Sequence, residues 1–484
     1  MSCALHLARM AREGQLATDV ECHIHERSGR LGGKACSQFR GGFPGEHGFR
    51  FFPNFYRAII DTLGSIELGA HRVEQHQFDP ELAGLSIRDL LVEAPYPALA
   101  TGKLVSTERA LGIRGMSIMY EMMVREFGIP PGQILRFALL LGQFLTSCED
   151  RSLRDYEHCT LEQFFFEKHA LGPNFRRYIH SMRALSAMRA DRGSLRTLLN
   201  TATQMLENFD SSFELRDALL PGPTDWMMIE PWTDALEQLG VHLHFGQTVR
   251  SLSFEPRSAG AGDPRIRDVV LETESGELQT IDASGDDTHV ALALPFEVAR
   301  PLLLAAPELP EALQPITTIP QRQDNLGEGS EPMVGLQFFL SQRTDITEGH
   351  VLYPNSAWAL TSVSQGQFWR RSFRHSLAET FGIDGLEDVI SVIISAWEHP
   401  ASTGKAPQDC SEHELIEETL AQINSGLGPE YRIDPSRILH ARVDTKVTFG
   451  AGAARCTTPL WVSPSGSYLL RPHPDHGSEN FFIA

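Results

Sequence analysis

The stretch from His23 to Pro53, HIHERSGRLGGKACSQFRGGFPGEHGFRFFP, limits what this chain can fold into more than any other. An apolar helical face (Ala4, Leu5, Ala8 and Ala11, with Leu7) precedes it and stops near Gly14. DVECHIHE then alternates, with Val20, Cys22 and Ile24 on one face of a strand. The strand ends in an acid, Glu26, and Arg30-Leu31-Gly32-Gly33-Lys34 follows. A carboxylate at a strand end accepts two hydroxyl hydrogen bonds from a ribose. Paired glycines let backbone approach a phosphate, and the flanking cations supply charge. Each piece alone reads as an ordinary strand-end charge or a plain turn. Together they read as the second half of a dinucleotide-binding crossover.

Composition narrows the partners. The 62 acidic and 42 basic residues give a formal net charge of -20, which argues against nucleic acid. The seven cysteines are odd in number, scattered, and form no Cys-x-x-Cys pair, which fits a reduced, cytoplasmic setting. The N-terminal segment carries His6, Arg9, Arg12 and Glu13 and lacks a signal peptide's apolar core. The most apolar run, Ile134 to Leu145, is 12 residues long, too short to span a bilayer, and is expected to form a buried helix, with a membrane-surface helix as the alternative.

Beyond residue 75 the chain reads mostly helical to about 231, with a break at Gly-Ile-Pro-Pro-Gly, 128–132. WTDALEQLG is a short helix stopped by Gly240, and VHLHFGQTVRSLSFE follows as strand, turn and strand. RIRDVVLETESGELQTIDAS reads as a hairpin turning at Glu274-Ser275-Gly276. HVALALP is a buried strand ending at Pro295, and 257–264 is a loop. Residues 301–440 mix strands (MVGLQFFL, VISVIISAW) with helix (EHELIEETLAQINSG). Trp397 reads as core or as a cavity wall.

ERSGRLGGKA followed by GGFPGEHGFRFFPNFYRAIIDTLG resembles the FAD-dependent amine oxidase superfamily, on the branch of the phytoene desaturases and hydroxysqualene dehydroxylases. LEQLGVHLHFGQTVRSLSFE, HVALALPFEVARPLL and the C-terminal TTPLWVSPSGSYLLRPHPDHGSENFFIA fall in the family's order. The resemblance implies an α/β fold. A Rossmann-like FAD-binding domain is built from 1–75, 232–300 and 441–484, incomplete in this chain. A helical substrate or cap block at 76–231 and a mixed-sheet substrate domain at 301–440 complete it. It implies that Glu26 takes the adenosine ribose and that Val249 touches adenine. Arg30, Gly32 and Gly33 lie along the FAD, and Gly45, Glu46, His47 and Gly48 lie near the isoalloxazine ring. Arg27, Leu31, Lys34 and Pro295 complete the cofactor set. His47 and Arg50 are the catalytic candidates, because an imidazole and a guanidinium steady negative charge on a reduced flavin, while the neighbouring Phe residues wall an apolar cavity.

The sequence departs from the family at two places. A first strand with G-x-G-x-x-G is expected just before Ser2, and a Gly-Asp pair is expected beyond FFIA. The expectation is a fragment that retains FAD weakly. His23 with His25, and His242 with His244, share strand faces, and either could suggest a metal pair, but each lacks nearby further ligands and reads as surface or structural His, so no metal is expected. The expected activity is hydride removal from an apolar, isoprenoid- or carotenoid-type substrate. The alternatives are a flavin amine oxidase and a non-redox prenyl-binding protein on the same fold. An apolar substrate also brings transient membrane-surface contact into the expectations. The oligomeric state is not legible.

Overall fold

The computed structural model describes residues 1–16, 20–53, 55–106, 112–186, 188–207, 217–255, 264–319, 330–450, 452–472 and 478–483. The expected loop at 257–264 lies outside these, except for Pro264.

The half expected to bind the nucleotide rests on parallel strand pairs, the pairing that crossover connections produce. His23–His25 pairs in parallel with His242–His244, and Val290–Leu292 pairs in parallel with Phe481–Ile483. Helix Ser2–Arg12 lies against helix Glu230–Gln238, with Leu5 and Leu236 fully buried. Beside them stands an antiparallel three-stranded sheet, Gln247–Phe254, Ile266–Thr273 and Leu278–Asp282. Its hairpin turns at the expected Glu274-Ser275-Gly276, where Gly276 takes φ +84°.

Two strand expectations need correction. The first strand is only three residues long, because its parallel partner begins at His242, and Val20 is exposed beyond the ladder. In HVALALP only Leu292 of the strand is buried, whereas Ala291 is exposed.

A seven-stranded sheet forms the other half. Its order is Ile438–Val443, Val334–Leu340, Asp388–Ile394, Leu360–Ser364, His350–Leu352, Ala98–Ala100 and Leu104–Ser106. Every residue of Val334–Leu340 is buried, which is why that segment reads as an unbroken apolar run rather than an alternating one. Trp397 packs into this core. Helix Glu412–Gly426 backs the sheet and starts at a reciprocal cap between Ser411 and Glu414.

The helical block comprises Gly112–Arg125, Pro131–Leu145, Pro173–Ser186 and Leu195–Glu207 around Phe127, Phe144, Phe164, Phe165 and Phe175. Pro131 opens its helix at a position whose N–H has no helical partner. The expected burial of this helix holds on one side only. Leu140 and Phe144 are buried, but Leu135 and Leu139 are 63% and 66% exposed. The helix packs against its two neighbours and leaves the i, i+4 face of Leu135 and Leu139 in solvent. Among the described residues no helix is long and apolar enough to cross a membrane.

Candidate active site

The run Gly45-Glu46-His47-Gly48 follows a tight hairpin, in which Gln38–Arg40 pairs with Phe43–Gly45. The hairpin presses this run onto the fully buried strand Val334–Leu340. At Gly335 an added Cβ would come within 2.8 Å of the His47 carbonyl carbon and 2.9 Å of the Glu46 oxygen. Glu46 N–H donates to Gln337 Oε1 at 2.8 Å. Gly45 is equally close to Arg442, whose guanidinium donates to the Phe43 carbonyl.

Around this run lies a buried polar network. Glu46 Oε1 accepts from Ser37 Oγ at 2.6 Å and from Thr224 N–H at 2.9 Å. Ser37 N–H donates to Asp225 Oδ1 at 2.7 Å, and Asp225 N–H donates back to Ser37 Oγ at 2.9 Å. Arg30 closes the chain on Asp225 Oδ2. Burial pushes the carboxyls of both Glu46 and Asp225 above their ordinary range, against the hydrogen bonds and cations that pull them down. Burial likewise lowers the Arg50 guanidinium, while Glu46 raises it. Cys36, buried beneath the turn with its thiol on the Leu31 carbonyl, is pushed up to about 11 by burial and is inert as a nucleophile at neutral pH.

His47 is paired through Nδ1 with Asp444 Oδ2. Asp444 is fixed in turn: its N–H donates to the Gly335 carbonyl, and its Oδ1 accepts from Lys446 N–H at 2.9 Å. Three buried side-chain atoms in this short run have no hydrogen-bond partner among the described residues: Glu46 Oε2, His47 Nε2 and Arg50 Nε. A buried polar atom left so is costly unless a ligand or water completes it. The edge of a flavin ring presents an N–H donor flanked by acceptors, so a carboxylate oxygen, an imidazole nitrogen and a guanidinium N–H are chemically suited to it. At this end the residues fit the cofactor that the sequence implies.

The adenosine end is arranged differently. Glu26 follows the first strand, and its backbone is tied to His244 and Gln247. Its Oε1 accepts from the Ser28 N–H at 2.8 Å and hydroxyl at 2.9 Å. Its second oxygen has no protein hydrogen bond among the described residues, so the carboxylate still has acceptor capacity for a ribose. Arg27 is exposed. Arg30 is paired with Asp225, and Lys34 with Glu297 at 2.6 Å, so both cations are already partly neutralised. Leu31 lies in the core. Gly32, at φ +104°, faces protein: an added Cβ would meet Cys36 Sγ at 2.8 Å and Ile229 Cδ1 at 2.9 Å. Gly33 is open to space. Val249 is half-buried in the antiparallel sheet, and Pro295 is an exposed helix cap.

The first segment therefore keeps Glu26, Arg30 and 45–50 in one connected region, linked through Asp225 and Ser37. Val249 lies instead on strand Gln247–Phe254, and Pro295 caps helix Phe296–Ala305. Ser37, Thr224, Asp225, Gln337, Arg442 and Asp444 were missed from sequence. Only Thr224-Asp225 carries a local signal, as a polar pair after the Pro-Gly-Pro turn, and its partners are more than 170 residues away in sequence.

A family model described as flavin containing amine oxidoreductase matches residues 1–323. A search of curated proteins finds no match. Among solved structures, an oxidoreductase from Methanosarcina mazei aligns with TM-score 0.57 and 11% identity, covering 100% of this chain and 92% of that one. Cyclohexylamine oxidase from Brevibacterium oxydans aligns with TM-score 0.57 and 12% identity, covering 100% and 89%. A protein described as a putative protoporphyrinogen oxidase from Exiguobacterium aligns with TM-score 0.52 and 13% identity, covering 100% and 90%. At such identities these likenesses speak for the fold, an α/β architecture with a Rossmann-like cofactor domain. With two-thirds of its length matched by the family model and the same fold as flavin oxidoreductases, the chain belongs to the flavin-containing amine oxidoreductase family and is an FAD-dependent oxidoreductase.

Proposed function

We propose that this protein dehydrogenates an apolar, isoprenoid-type substrate. The observation that supports this reading is the wall beside the candidate site. Directly after Arg50, Phe51 and Phe52 pair antiparallel with Leu219 and Ala218, and strand Ala218–Leu219 pairs with Val92 on its other side. Phe51 also meets the His350 ring edge-on at 5.2 Å. Phe52, Ala218 and Leu219 are buried in the core, so the half-buried Phe51 is the ring of this strand that an apolar ligand would meet.

Bound FAD supplies the two-electron acceptor. The chain's own residues do the rest. Asp444 holds the proton at His47 Nδ1, which leaves Nε2 as the atom that gives or takes one. Arg50 contributes a permanent positive charge next to Glu46 and holds the Lys34 carbonyl at 2.9 Å. The exposed Leu135–Leu139 face suits transient contact with a membrane surface, from which an apolar substrate would be drawn.

The test is an FAD titration of the whole chain by quenching of flavin fluorescence, followed by anaerobic addition of substrate while the visible flavin band is recorded. Saturable binding, then bleaching by an isoprenoid polyene but not by primary amines, is expected. Bleaching by amines alone would replace this reading with an amine oxidase. Retention of a prenyl chain without any flavin binding would replace it with a non-redox carrier.

A further inference from the structure

The two His-x-His pairs, read from sequence as separate surface features, meet in the fold. Alternate residues of a strand share one face, so each strand presents both of its imidazoles on the same side. Parallel pairing sets His23 opposite His242 and His25 opposite His244. Four rings stack as a result. Centroids lie 4.7 Å apart for His23 and His242, 5.3 Å for His23 and His244, and 4.6 Å for His25 and His244. His23 Nδ1 lies 3.0 Å from His244 Nε2. On its other side, His23 Nε2 lies 3.6 Å from the Glu21 carboxylate. Glu21, His23 and His242 are exposed and offer three ligand atoms within 4.8 Å of one another.

We propose that this face binds one divalent transition-metal ion, of the zinc, nickel or copper type, through His23, His242 and Glu21, with His244 adjoining. The donor set selects the metal class. Imidazole nitrogen suits Zn²⁺, Ni²⁺ and Cu²⁺, whereas Mg²⁺ and Ca²⁺ require oxygen ligands. Two imidazoles and one carboxylate also leave a coordination position open to water. The three ligand atoms would have to close from this 4.8 Å grouping to the tighter spacing of a tetrahedral site, and the exposed surface leaves room for the side chains to rotate. His25 stands apart from the ion: its Nδ1 is 2.6 Å from Gln247 Oε1, a contact that orients the ring.

The ion would clamp two strands that are distant in sequence. The first strand runs directly into Glu26, the residue placed for the cofactor ribose, and the second runs into the antiparallel sheet. Metal binding at this seam stabilises the native pairing by mass action, because the unfolded chain does not hold the two histidine pairs together. The proposal is independent of what the enzyme oxidises.

The experiment strips the whole chain with chelator and titrates it calorimetrically with Zn²⁺, and separately with Mg²⁺. One Zn²⁺ per chain is expected, with a raised melting temperature and no response to Mg²⁺. The double variant His23→Gln and His242→Gln should lose at least about tenfold in affinity, while His413→Gln, on a distant exposed helix, should not. Unchanged Zn²⁺ affinity in the double variant overturns the proposal. Should that variant fail to fold, Cu²⁺ electron paramagnetic resonance on the parent chain decides: coupling to two or more imidazole nitrogens supports the site, and coupling to none or one overturns it.

Discussion

Arg183 and Glu398 join the helical block to the seven-stranded sheet, and replacing Glu398 by Gln tests how much that joint contributes. Arg183 sits on helix Pro173–Ser186, and Glu398 follows strand Asp388–Ile394. The guanidinium fork donates to both carboxylate oxygens, at 2.6 and 2.8 Å. Arg183 is buried, the Glu398 side chain is 29% exposed, and Arg189 stands 3.6 Å away. Burial alone would raise the Glu398 carboxyl, but the Arg183 fork outweighs it and holds the group at about 2 instead of 4.5. That depression corresponds to roughly 3 kcal/mol at neutral pH, an upper figure for a partly exposed pair. Because the folded value is depressed, this stability is present above 4.5 and is lost as pH falls from 4.5 towards about 2. Glu398→Gln keeps the shape but leaves a buried guanidinium without its counter-charge, a change that costs up to about 3 kcal/mol. Urea unfolding followed by helical circular dichroism, run at about pH 7 and about pH 3.5, should show a large gap between parent and variant that narrows in acid. A variant within about 0.5 kcal/mol of the parent at neutral pH, or a gap that acid does not narrow, would refute the reasoning.

Glu46→Gln is expected to act in the opposite direction. Burial raises the Glu46 carboxyl, so its favourable contribution is present below 4.5 and is lost as pH rises through the folded value. Gln imitates the protonated form, so thermal melts at about pH 7 to 8 should show the variant as stable as the parent or more so, converging with it in acid. Gly335→Ala forces a Cβ against the backbone of Glu46 and His47. It should cost about 1 to 3 kcal/mol in denaturant unfolding and weaken FAD binding in the same titration, since the strand and the site backbone are in contact there.

Much of this protein was legible without its fold, because local rules suffice for local features. The helix in EHELIEETLAQINSG and the Gly turn at 274–276 depend only on neighbours in sequence, and they appear where the patterns put them. The acid after a strand and the glycine pair after it likewise pointed to a nucleotide cofactor, and the family match agrees on the cofactor. Burial was less legible. The Pro131–Leu145 helix is apolar nearly all round, and only its neighbours decide which face meets solvent.

What the sequence by itself determined was therefore the fold class and the cofactor. The tertiary structure alone decided the partners. Asp444 meets His47 across 397 residues, Asp225 meets Ser37 across 188, and Gln337 meets Glu46 across 291. It also decided that two modest histidine pairs form one cluster. Periodicity reports which side of an element a residue occupies. Which element lies opposite is set by strand order and register, and those follow from packing the whole chain around its shared core.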